Sequence, residues 1–331
     1  MELSSFSPLI EQEQAIELLE RAVDCDRVAP AYLFAGPSGV GRRLAAQCFI
    51  ERLFLSLRPG SPGTGKASTS LRTRLQQGNH PDLLWVEPTY LYQGNRFSAA
   101  EAAAAGIKRK TPPQIRLEQI REVVQFLGRP PLEATRSIVV LNEAETMAEP
   151  AANALLKTLE EPGQATFILI APGPEALLPT LVSRCQRIPF RRLTATAMAE
   201  VLTQANQSEI LAHPEVLTLA QGSPGAAIGH WQQLQAIPPD LLATLRQFPQ
   251  SVRAALDLAR QIDKALEVEA QLWLVDYLQQ CYWQWLCQVR PTQINPLQEL
   301  EKARRCLSGF AQPRLVWEVT LMGLIGTEGR S

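Results

Sequence analysis

Residues 151–190 read AANALLKTLEEPGQATFILIAPGPEALLPTLVSRCQRIPF. Helical spacing of apolar residues up to Leu159 gives way to Glu-Glu-Pro-Gly, a turn. The apolar run TFILIA (166–171) then fits a buried strand. A short helix follows, and Ser183-Arg184-Cys185 stands just before a last strand at 187–190. The same alternation extends toward the N-terminus. Strands are expected at 31–35, 82–86 and 137–141, and helices at 10–23, from Leu44 onward and at 115–131, where Gly128 and Pro130 end the pattern. Strands alternating with helices predict an α/β domain: a five-stranded parallel sheet covered on both faces.

The first strand, AYLFA (31–35), runs into Gly36-Pro37-Ser38-Gly39-Val40-Gly41-Arg42-Arg43 and then a helix. Strand, glycine loop and helix form the context of a phosphate-binding P-loop, GxxxxGK[ST]. Gly36 and Gly41 hold the glycine positions, with Gly39 between them. Arg42 replaces the lysine that reaches the phosphates, and Arg43 replaces the hydroxyl that ligates Mg²⁺. A guanidinium cannot ligate a metal. N–H groups at the start of the helix still attract anions, which leaves weak nucleotide binding open beside a loop kept for its shape.

ALLKTLEEP followed by SRC resembles the clamp-loader AAA+ family of bacterial DNA replication. The resemblance spans nearly the whole chain and is strongest over 1–57, 78–88 and 115–192. It implies an AAA+ α/β domain with a degenerate P-loop (1–192), a small helical lid (193–237) and a helical collar that oligomerises (238–331). It also implies that Arg184, within the motif Ser183-Arg184-Cys185, reaches out of its own subunit to the γ-phosphate of ATP held by a neighbour. Arginine suits that role because it stays charged and forks onto phosphate oxygens. An isolated arginine would more simply pair with a surface carboxylate.

Three further positions depart from the family's ATP site. The Walker B position reads Asn142-Glu143 where an active ATPase has Asp-Glu, so the metal-holding charge is lost while the base position remains. The sensor strand ends in Ala171-Pro172, where relatives place threonine or asparagine. GSPGAAI (222–228) puts Gly225 where the second sensor arginine would stand. The resemblance therefore implies a non-hydrolysing, stator-like subunit of the polymerase holoenzyme. Its partners would be gamma or tau and delta subunits, with the sliding clamp and primed DNA met through the complex. Arg184 would be its contribution to catalysis. Gly36, Gly39, Gly41, Arg42, Arg43, Asn142 and Glu143 would be the remnant of a nucleotide site. An ATP-hydrolysing motor like gamma or tau, and a purely structural adaptor, are the alternatives.

Composition narrows the field. The chain has 331 residues, 46% of them hydrophobic, enough for two or three cored domains. Its 32 basic residues are matched by 33 acidic ones, so any contact with nucleic acid is local or shared. The N-terminal MELSSFSPLIEQEQ lacks the regions of a signal peptide, and charged or amide residues interrupt every long apolar run. The expectation is a cytoplasmic protein away from membranes. Cys25, Cys48, Cys185, Cys281, Cys287 and Cys306 form no CxxC pair. Relatives often carry a four-cysteine zinc module near 58–80; this chain has no cysteine there, so neither zinc nor another cofactor is expected.

Residues 58–80 are expected as a loop whose Arg58, Lys66, Arg72 and Arg74 are solvated or touch nucleic acid. His80, before Pro81, reads as a turn residue. Residues 89–114 are expected as an inserted mobile loop with a short Ala-rich helix. After Phe190 the pattern is helical, with Ile237-Pro238-Pro239 as a linker. The cluster of Trp273, Tyr277, Tyr282, Trp283 and Trp285 reads as helix packing and subunit interface rather than base stacking, because basic residues among them are sparse.

Overall fold

The computed structural model describes residues 6–56, 71–75, 78–106, 112–288 and 296–325. It divides into two units, Met1–Leu193 and Thr194–Ser331. Among the described residues, the first unit holds seven strands: β1 (Ala31–Ala35), β2 (Leu83–Val86), β3 (Tyr90–Tyr92), β4 (Asn95–Phe97), β5 (Ser137–Leu141), β6 (Ala165–Ala171) and β7 (Gln186–Pro189). Five form one sheet in the order β2-β5-β6-β1-β7, every pair parallel. The expected strands are all present, shifted by a residue at most.

The sheet is buried on both faces, which is why its central strands read as unbroken apolar runs. Leu33, Val139, Leu141, Phe167 and Leu169 belong to one core cluster with Ile120, Val123, Leu155 and Leu159. Those last four come from α5 (Leu117–Leu127) and α6 (Glu149–Glu160). On the alternate positions, Tyr32 and Phe34 meet Phe49 of α2 (Arg42–Ser56), with ring centroids 5.1 and 6.4 Å apart. Each such side chain, fully buried, stabilises the fold by about 1.5–3 kcal/mol relative to exposure. The first helix of the unit, α1, spans Glu13–Asp24.

Residues 89–114 carry the expected short Ala-rich helix but depart from a plain loop before it. Strands β3 and β4 pair as an antiparallel hairpin, Tyr90 opposite Phe97 and Tyr92 opposite Asn95. Its turn, Gln93-Gly94, has φ of 49° and 81°, the doubly left-handed geometry of a type I′ turn. Helix α4 (Ala99–Ala104) follows. Ser98 Oγ accepts from the Glu101 N–H at 3.2 Å while Glu101 Oε2 accepts from the Ser98 N–H at 2.8 Å, a reciprocal cap. The Ser98 N–H, and after it the Ser98 hydroxyl, hold the Glu101 carboxyl below its usual range. Reciprocal backbone bonds between Thr89 and Gln114 (3.0 and 3.1 Å) close the base of the excursion. Residues 107–111 lie outside the described residues.

Of 58–80, residues 71–75 form a helical turn, α3. Its two arginines are engaged: Arg72 pairs with Glu51 at 3.0 Å and Arg74 with Glu133 at 2.8 Å. Arg58 and Lys66 lie outside the described residues. His80 occupies a turn as expected, but buried, stacked 4.3 Å from the Phe54 ring, with Nδ1 accepting from the Asp82 N–H.

The second unit is helical. Three helices, α8 (Ala195–Gln204), α9 (Pro214–Ala220) and α10 (Pro224–Ala236), occupy the segment read as a lid. Five more follow: α11 (Pro239–Leu245), α12 (Val252–Ala265), α13 (Val268–Gln288), α14 (Pro296–Ser308) and α15 (Pro313–Gly323). The aromatic cluster is mostly packing. Tyr277 and Tyr282 are buried, and Tyr282 Oη donates to Leu245 O at 2.8 Å. Trp285 meets Phe248 edge-on at 5.0 Å, and Trp273 Nε1 donates to His230 Nδ1 at 2.9 Å. Trp283 stands apart at 55% exposure.

Candidate functional site

The C-terminal ends of β1, β5 and β6 carry the residues that the sequence matches to a nucleotide site, and backbone bonds lock the sheet edge on which they sit. The Gly36 N–H donates to Ala171 O at 3.3 Å, and the Asn142 N–H to Val86 O at 2.9 Å. Gly36 admits no side chain: a Cβ there would lie 2.5 Å from Phe190 O. Gly39 and Gly41 have φ of 77° and 101°, the left-handed region that glycine enters without strain. The loop delivers the chain into α2 at Arg42.

The side chains tell a different story. Arg42 is 7% exposed, and its Nη1 is buried without a hydrogen-bond partner. Burial holds its guanidinium below the usual arginine range, opposed by the charges of Glu145 and Glu143. Glu145 carries the matching defect: Oε2 is buried without a partner, and burial pushes its carboxyl upward. Arg43 pairs with Glu87 and lays its guanidinium 4.8 Å from the Trp85 ring centre. It is therefore committed to its own domain at the position where a metal-ligating hydroxyl would stand. Glu143 is exposed on a left-handed backbone (φ 51°), and Ala171 is fully buried with no side-chain donor to offer. These residues do not fit a Mg²⁺-nucleotide. Position 43 supplies a cation instead of an oxygen ligand, position 142 a neutral amide instead of a carboxylate, and position 171 nothing. Gly225 is exposed at the second position of α10, whose first turn buries Pro224 and Ala227. Among the described residues no cluster of three or more His, Cys, Asp or Glu is placed to hold a metal ion.

The second place is the turn between α7 (Pro179–Val182) and β7. The Ser183, Arg184 and Cys185 N–H groups donate to Pro179 O (2.9 Å), Leu181 O (3.1 Å) and Val182 O (3.2 Å), so the tripeptide continues the helix as tight turns. Ser183 Oγ donates to Thr180 O at 3.0 Å. Cys185 packs against the core, and burial pushes its thiol up to about 11, so it remains neutral at physiological pH. Arg184 projects with 37% of its side chain exposed. Its Nη1 donates to Thr180 O at 3.0 Å and its Nη2 to Glu160 Oε1 at 2.8 Å.

Two residues here went unassigned in the sequence reading, Glu145 and Glu160. Glu145 had no signal beyond lying near the Walker B position. Glu160 had one: it and Glu161 put negative charge at the C-terminal end of α6, where the helix dipole disfavours it.

The family model described as "DNA polymerase III, delta subunit" matches residues 11–194, and that described as "Cyanobacterial DNA polymerase III delta prime, C-terminal domain" matches residues 196–324. A relative from Bacillus subtilis named DNA polymerase III subunit delta' is 31% identical over 204 residues, which are 61% of this chain and 54% of the relative. Its namesake from Pseudomonas aeruginosa is 35% identical over 198 residues, 59% of this chain and 54% of the relative. The chain thus spans about half the length of these curated relatives. A DNA polymerase III gamma subunit-related protein of Thermotoga maritima superposes with a TM-score of 0.49 at 17% identity, over 93% of this chain and 97% of that one. With one family model over more than half of its length and a second over most of the remainder, the chain belongs to the DNA polymerase III delta prime family.

Proposed function

We propose that this chain is a non-hydrolysing, stator-like subunit of the DNA polymerase III clamp loader. It binds a gamma or tau ATPase subunit and presents Arg184 to the ATP of that neighbour. Through the complex, with delta, it takes part in opening the sliding clamp and loading it on primed DNA in the cytoplasm. Neither zinc nor another cofactor is required, and nucleotide binding at its own loop is weak or absent.

One contrast carries this reading. The chain's own glycine loop holds a buried Arg42 and an Arg43 tied to Glu87, whereas Arg184 stands on a hydrogen-bonded turn with its guanidinium at the surface. A cation that completes a charged transition state is worth roughly 10³–10⁵ in rate when supplied in trans to GTPases. Titration calorimetry of the isolated chain should show no micromolar binding of Mg-ATP. Mixing with a gamma-type subunit should raise that subunit's turnover. Micromolar Mg-ATP affinity with turnover by the chain alone would favour the motor reading instead.

A second reading rests on one observation. Arg184 is already paired with Glu160, as it would be in a purely structural adaptor. Such an adaptor would bind gamma without changing its turnover.

A further inference from the structure

The geometry points to Glu160 as the residue that positions Arg184. This inference rests on the finger role proposed above and adds a second residue to it.

The Arg184 guanidinium ties its own turn to the end of α6. One bond reaches Thr180 O, the second residue of the four-residue α7 (3.0 Å), and the other reaches Glu160 Oε1, on the last residue of α6 (2.8 Å). The end of α6 is the negative pole of its helix dipole, so a cation belongs there and a carboxylate does not. Glu160 is locally unfavourable, and holding Arg184 gives it a reason to be present. Only one N–H each from Nη1 and Nη2 is used by these bonds. A guanidinium has five, so the fork can still be offered to a further anion. A free arginine must surrender rotamer freedom to meet a phosphate. Here that freedom is given up before the partner arrives.

Glu160 is 55% exposed and lies outside the core, so it can be changed without unfolding the domain. The loader is reconstituted from full-length subunits carrying the wild-type chain, Glu160→Gln, Arg184→Ala or both changes, and kcat and KM for ATP are measured. Glu160→Gln should lower kcat about two- to fivefold, the range an exposed ion pair supplies. KM for ATP and the yield of assembly should not change, and the double variant should match Arg184→Ala. If Arg184→Ala is low while Glu160→Gln equals or exceeds wild type, the positioning role falls and the finger survives. A loss from Glu160→Gln that persists in the Arg184→Ala background also overturns it, because Glu160 would then act without Arg184. If Arg184→Ala itself changes nothing, the finger role falls and this inference falls with it.

Discussion

At 2% exposure, Asp82 accepts three backbone hydrogen bonds from the loop before β5: from Leu132 N–H to Oδ1 (2.7 Å), and from Glu133 and Ala134 N–H to Oδ2 (2.8 and 2.7 Å). Arg74 forks onto Glu133 of the same loop, so an ion pair depends on this anchor. Asp82→Ala strands three donors and should cost about 2–4 kcal/mol in urea unfolding. A loss below about 0.5 kcal/mol would mean that the loop finds other acceptors. The remnant nucleotide site gives a second residue-level expectation. Restoring the motif with Arg42→Lys and Arg43→Thr returns the phosphate-reaching lysine and the metal-binding hydroxyl, yet Asn142 and Ala171 remain. Phosphate-release assays on the double variant alone should stay at background; steady turnover would show that positions 142 and 171 are not limiting. Arg42 and Arg43 were legible in the sequence because a P-loop fixes residue types at fixed spacing. Their burial and partners were not, since nothing in the spacing says that Arg43 turns to Glu87 and Trp85.

Elements were legible wherever periodicity was long. The sheet strands and α5, α6 and α13 bury whole faces, and their sequences show it. The β3–β4 hairpin was missed because its strands are three residues each and mostly exposed, too short for alternation to register. Its turn offered only Gln-Gly, not the Asn-Gly that marks such turns. Within the helical unit, His230 on α10 accepts from Trp273 on α13 through Nδ1, and burial holds the imidazole below its ordinary range. The sign follows from linkage: a depressed folded pKa means the unfolded chain binds the proton more readily. Stability from this contact is therefore present above the unfolded value near 6.5 and is lost as pH falls through it toward the lower folded value. His230→Gln keeps a hydrogen-bond acceptor but does not titrate. In urea unfolding between pH 7.5 and 5.5, the wild type should lose stability relative to His230→Gln as pH falls. Parallel curves would contradict this.

At the scale of the molecule, one chain carries a glycine loop with arginine at positions 42 and 43, together with a surface guanidinium held by its own subunit. The family membership shown by the two matching models explains the shared fold; the division of labour between the two places is the proposal. It also sets what a relative with a working loop would do differently, since a motor needs the lysine, the hydroxyl and the metal-holding carboxylate together. The most direct measurement is DNA-stimulated ATP turnover of a loader reconstituted with Arg184→Ala in place of the wild-type chain. Turnover should fall by about tenfold or more while the assembly forms normally and the isolated variant unfolds at the wild-type denaturant midpoint. Turnover equal to wild type in an intact assembly would contradict the reading and leave this chain as scaffold alone.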